Sequence, residues 1–150
     1  IFTFFSAAAT IVTPPSSNLV DSPPPRARPF PQRLSEGARG LCLEAHAARV
    51  AEATWRVDVP DFGLPDEAAL RAALTDMLAA LRAAPDGAYH IGCKAGLGRT
   101  GTAMACLAIM AGAAEGDPVA WLRAGYNQAA IETPAQEDFV RRFARHPTAA

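Results

Sequence analysis

The chain has 150 residues, half of them apolar and 19% charged, which suits one folded domain over residues 1–150 and excludes a disordered chain. A net charge of −1 leaves no footprint for nucleic acid. Three cysteines at irregular spacing exclude a disulfide framework and point to a reducing, cytoplasmic setting.

In chain order, Ile1–Val12 is apolar, too short to span a membrane, and reads as an early strand. Prolines then crowd about residues 14–33, where Pro23-Pro24-Pro25 is extended and solvated, as in a surface loop. The stretch from Ser35 to Ala53 reads as a helix with Leu41, Leu43 and Val50 partly buried. Trp55, Val57 and Val59 alternate, which predicts a strand with Asp58 on its exposed face. Pro60, Gly63 and Pro65 then impose a loop. Asp66 caps a helix to about Ala84, with Leu70, Leu74, Met77, Leu78 and Leu81 along one face.

Pro85-Asp86-Gly87 turns the chain into a short buried strand, Ala88–Gly92. The run after Arg99 is a central helix, since Met104, Leu107, Ala108 and Met110 leave it little polar face. Cys106 on that helix and Cys42 read as core residues. Asp117-Pro118 opens a helix towards Tyr126, and Thr133-Pro134 opens the last one, with Phe139, Val140 and Phe143 inward. Arg141, Arg142 and Arg145 suit its negative C-terminal end. Strands alternate with helices early and helices dominate late, so the expected class is α/β, a small mostly parallel sheet flanked by helices.

The chemistry concentrates in Cys93-Lys94-Ala95-Gly96-Leu97-Gly98-Arg99-Thr100-Gly101, between the predicted strand and the apolar helix. A strand, a tight loop and a helix N-terminus present successive N–H groups to an anion. Gly96 and Gly98 let the backbone of Lys94–Arg99 curl round phosphate oxygens. The planar fork of Arg99 holds two oxygens at once. The same positive field favours a thiolate at Cys93, aimed at a bound phosphorus atom. Thr100 follows with a hydroxyl for that sulfur.

Breaking the P–O bond also needs a proton for the leaving oxygen. Asp61, on the loop Asp61-Phe62-Gly63-Leu64-Pro65, is the candidate acid, and Asp58 its rival in the strand. Downstream, Thr133-x-x-Gln136 with Pro134 between them is a capping box, which by itself accounts for Gln136.

The Cys93–Gly101 run resembles the C-x5-R signature loop of the cysteine-dependent protein tyrosine and dual-specificity phosphatases. It is similar above all to the compact branch that includes the Cdc14-like enzymes. The Asp61–Pro65 string is similar to the general-acid loop of the same enzymes, on a separate segment. The resemblance implies Cys93 as nucleophile, Arg99 as phosphate clamp and Thr100 as the hydroxyl of the second step. For the segment Ala130–Glu137 it implies that Gln136 orients the hydrolytic water. One departure stands out: Gly92 occupies the position before the cysteine where the family usually has histidine, with His90 two residues further upstream.

Other readings fit less well. Gly96-x-Gly98-x-x-Gly101 matches a dinucleotide fingerprint, but Glu115 and Asp117 lie between helices rather than after a second strand. Cys42-x3-His46 and His90-x2-Cys93 fit no common zinc template, so neither metal nor cofactor is expected. The expected activity is hydrolysis of phosphotyrosine, with phosphoserine or phosphothreonine as further targets, through a phosphocysteine, by a monomer acting on a phosphorylated protein or a small phosphomonoester. Lys94 keeps a phosphoinositide or inositol phosphate open as substrate, and a catalytically weak phosphate-binding module is the alternative of another class.

Overall fold

The computed structural model describes residues 3–5, 9–12, 37–46, 53–85 and 87–147. Nine elements follow one another: β1 (Thr3–Phe5), β2 (Ala9–Val12), β3 (Arg39–Cys42), β4 (Trp55–Arg56), α1 (Glu67–Ala83), β5 (Tyr89–Gly92), α2 (Gly98–Met110), α3 (Pro118–Gly125) and α4 (Pro134–Arg145). The strands form one sheet in the order β1-β2-β5-β3-β4.

The half of the sheet built from β4, β3 and β5 is parallel. Strand β3 pairs β5 in register Leu41↔Ile91 and Cys42↔Gly92, and pairs β4 through Leu41↔Trp55. Strands β1 and β2 pair antiparallel with each other, and β2 antiparallel with β5. The α/β class is as expected, with an antiparallel pair added on one side of a three-stranded parallel core. The early apolar run thus holds two short strands rather than one. The proline-rich segment at about 14–33 lies outside the described residues.

The helix expected over Ser35–Ala53 is corrected: residues 39–42 are strand β3. Leu41, Cys42 and Leu43 are all buried, a continuous apolar run that suits a strand covered on both faces. Leu41 and Leu43 join the core cluster with Ile91 and Cys93, and Cys42 turns to the other face of the pleat. Beyond β4, Val57 and Val59 continue the predicted alternation, their N–H groups donating to Cys42 O and Leu43 O.

Helix α1 starts where Asp66 accepts a 2.8 Å bond from Ala69 N, and buries the five residues of the predicted face. It ends where Tyr89 donates its hydroxyl to the carbonyls of Ala80 and Ala84, which also accept the N–H groups of Ala84 and Gly87. Helix α2 is buried nearly all round and packs on α1, α3, α4 and β5, so it is the central post of the fold. Cys106 lies in it with no exposed surface, as expected of a core thiol. Asp117 and Thr133 cap α3 and α4, each with proline at the start. Among the described residues no helix is long and apolar enough to cross a membrane.

Candidate active site

Strand β5 ends at Gly92, helix α2 begins at Gly98, and the loop between them starts with Cys93. The loop therefore caps the N-terminus of the central helix, where unpaired N–H groups and the helix dipole favour an anion. The Cys93 sulfur accepts the N–H of Gly96 at 3.3 Å and the hydroxyl of Thr100 at 3.1 Å. Gly96 has φ +78°, a left-handed conformation that brings its amide back onto the sulfur without a Cβ in the way. Lys94 and Ala95 are exposed at the rim, Leu97 is half-buried, and Gly98 and Thr100 are buried.

Arg99 is only 4% exposed, and both terminal nitrogens of its guanidinium have partners. One terminal nitrogen donates to Glu44 Oε2 at 2.8 Å and to Val59 O at 2.9 Å, and the other to Asp61 Oδ1 at 3.1 Å. These contacts draw in the end of β3, the segment after β4 and the Asp61 loop. A buried guanidinium needs this partnering, because an unpaired charge there is costly. Glu44 is held below the ordinary carboxylate range by the His46 N–H first and by Arg99 next, against desolvation.

Asp61 has a side chain 58% exposed, so it faces both Arg99 and solvent. Its loop is tight: Gly63 N donates to Pro60 O at 2.8 Å, and Phe62 sits at φ +56°, a costly value for a large side chain. Phe62, 61% exposed, and Leu64, 37% exposed, are the exposed large apolar residues among those described. The rival acid Asp58 points away, paired with Arg56 at 2.8 Å on the exposed face.

Gln136 is fully buried and faces two ways. Its Oε1 accepts from Glu132 N at 2.9 Å and Thr133 N at 3.3 Å, completing the capping box. Its Nε2 donates to Gly63 O at 3.2 Å, tying α4 to the Asp61 loop. A Cβ on Gly98 would lie 2.5 Å from Glu132 Oε2 and 3.0 Å from Gln136 Oε1, so both side chains would have to give way to any larger residue there.

Three further residues hold the site and were not singled out from the sequence. Tyr126, past the end of α3, donates its hydroxyl to Gly96 O at 2.7 Å. Burial, with the nearby Cys93 sulfur, pushes its pKa up to about 12, so it remains a donor. Arg123 grips Ala130 O, Ile131 O and Glu137, fixing the segment that approaches the Cys93–Arg99 loop through Ile131 N and Leu97 O. Glu44 carried one faint signal: it follows the buried run at the C-terminal end of a parallel strand, where α/β sheets place ligands.

The structure thus brings Cys93, Arg99, Thr100, Asp61 and Gln136 to one place from three separate segments. His90, whose pKa burial pushes down, lies within β5 rather than beside the sulfur. Among the described residues no group of histidine, cysteine and carboxylate side chains is arranged to hold a metal.

No family model matches the chain, and no curated protein sequence matches it significantly. Among solved structures, the crystal structure of Tk-PTP in the active form is similar, with a TM-score of 0.61. The two are 20% identical, over 73% of this chain and 78% of that one. The likeness establishes the α/β fold of this chain as the fold of that protein.

Proposed function

We propose that the chain is a cysteine-dependent phosphatase of the protein tyrosine and dual-specificity type, hydrolysing phosphomonoesters through a phosphocysteine. The observation that carries this is the Cys93 sulfur, bonded by Gly96 N–H and Thr100 Oγ in the loop that opens α2, with Arg99 and Asp61 converging from outside it. The fold shared with Tk-PTP and the resemblance of two separate sequence segments to this family support the same reading.

The steps follow from the donors. A phosphate dianion enters the loop and takes the Arg99 nitrogen that Asp61 occupies, which releases Asp61 towards the leaving oxygen. The Cys93 thiolate attacks phosphorus, an S–P bond forms and the P–O bond breaks. Asp61, once free of Arg99, takes a proton from solvent and gives it to the departing oxygen. Water then attacks phosphorus and passes a proton to Asp61, and the S–P bond breaks. The Thr100 hydroxyl stabilises the returning thiolate.

Phe62 and Leu64 give the acid loop an apolar outer surface, which favours an aromatic leaving group, hence phosphotyrosine ahead of phosphoserine or phosphothreonine. Lys94 supplies a single extra cation at the rim, a weaker basis for a polyanionic inositol phosphate or phosphoinositide. A thiolate nucleophile needs a reducing compartment such as the cytoplasm.

The test is phosphate release from an aryl phosphate at mildly acidic pH in the presence of chelator, with Cys93→Ser alongside. The wild type turns over, and the variant loses turnover but still binds phosphate. Appreciable turnover by Cys93→Ser would sink the mechanism. Silence from both folded proteins would leave the phosphate-binding module.

A further inference from the structure

The geometry points to Tyr126 as a positioning residue that locks the Gly96–Leu97 peptide with its N–H turned towards the bound phosphate, a role that rests on the phosphatase reading above. The C=O and N–H of a trans peptide point in opposite directions. Tyr126 fixes the Gly96 carbonyl at 2.7 Å, so the Leu97 N–H of the same peptide is turned away from Tyr126. That amide belongs to the arc between Cys93 and Arg99, where each inward N–H is a phosphate donor. The reverse orientation would set a carbonyl's negative end against the phosphate.

Such a reversal is a real hazard at this position. Gly96, at φ +78°, has no Cβ to resist rotation about its ψ. Tyr126 is well placed to prevent it. It is 6% exposed, shares the buried cluster with Leu122 and Ile131, and is held to the end of α3 by its N–H to Leu122 O at 2.8 Å. Turning the Gly96–Leu97 peptide leaves the preceding one in place, and that one carries the Gly96 N–H bound to Cys93. Oxyanion binding and the hydrogen bonds of the sulfur are therefore separable, and Tyr126 governs the first.

Tyr126→Phe removes one oxygen atom and tests the lock. Inorganic phosphate and vanadate should inhibit aryl phosphate hydrolysis about tenfold more weakly, with kcat/KM falling in parallel. Alkylation of Cys93 by iodoacetamide, followed by mass, should stay within about twofold of wild type, as expected if the sulfur keeps its partners. Unchanged phosphate inhibition in a folded variant overturns the lock. So does a variant in which alkylation changes as much as phosphate binding, since that describes a generally loosened loop.

If Tyr126→Phe does not fold, the wild type decides: titration with inorganic phosphate must shift the Leu97 amide in NMR spectra. A Leu97 amide that stays still while that of Gly98 moves overturns the proposal. The two readings fail separately. A wild type that hydrolyses no aryl phosphate, with phosphate binding still weakened by Tyr126→Phe, removes the phosphatase and keeps the lock.

Discussion

Truncating Gln136 separates its two jobs. Gln136→Ala removes two acceptor contacts, to Glu132 N and Thr133 N, and one donor contact, to Gly63 O. Each is a neutral hydrogen bond of about 1 kcal/mol net. Water reaching the loop from the exposed Glu132 side offsets part of the loss, leaving about 2–3 kcal/mol of destabilisation. At this chain length that is a fall of about 5–10 °C in the melting midpoint. Thr133→Ala removes the other half of the same capping box, the bond from Gln136 N, at a cost of about 1 kcal/mol.

Only Gln136 reaches the acid loop, so activity should divide the pair. Thr133→Ala should keep kcat/KM on an aryl phosphate within about twofold, since the cap lies outside the reaction. Gln136→Ala should lose about tenfold or more, because Gly63 O and with it Asp61 are no longer tied down. Thermal melts followed by circular dichroism and steady-state kinetics on both variants read this out. Equal activity losses in the two would refute the latch and reduce Gln136 to a helix cap. A melt of Gln136→Ala unchanged from wild type would refute the hydrogen-bond accounting.

Asp61→Ala should lower kcat by about 10²–10⁴ and flatten the acid-dependent limb of the pH–rate profile; a variant as fast as wild type assigns the proton to another group. Gly101→Ala places a Cβ 3.0 Å from Ala130 Cβ and from the Ile131 backbone nitrogen, neither of which can swing away. It should cost about 1–3 kcal/mol despite the better helix propensity of alanine, and an unchanged urea midpoint would contradict that. Glu44 has a folded-state pKa below its unfolded one, so its contribution is present above about pH 4.3 and is lost as pH falls through the folded value. The urea midpoint should drop in that acid window and drop less steeply in Glu44→Gln; identical slopes would show that Glu44 is not coupled to folding. Hydrolysis should persist in excess chelator, as a thiolate route requires, and loss of activity reversed by added metal would contradict it.

Much of the site was legible because it is local. The Cys93–Thr100 loop carries its proposed nucleophile and clamp, its glycines and its hydroxyl in one run, bounded by a strand and a helix that the apolar pattern marks. The caps at Asp66, Asp117 and Thr133 were equally plain, since a side chain bonding an amide two or three residues on is a short-range event. The five buried positions of α1 followed from helical spacing alone.

What the sequence could not settle lies wherever burial depends on a partner distant along the chain. Leu41-Cys42-Leu43 has no periodicity of its own to separate strand from helix, and pairing with Ile91 and Gly92 decides it. Gln136 reads as a cap in the sequence, and only packing against the Asp61 loop gives its side-chain nitrogen a partner, 73 residues away. Glu44 and Tyr126 are an ordinary carboxylate and an ordinary aromatic until the sheet sets one beside Arg99 and α3 sets the other against Gly96. The amino-acid sequence by itself determined which reactive groups stand together in the proposed site, because reactivity is a property of side chains and their near neighbours. Their restraint was decided by the tertiary structure, because hydrogen bonds and ion pairs between remote segments exist only once the chain has folded.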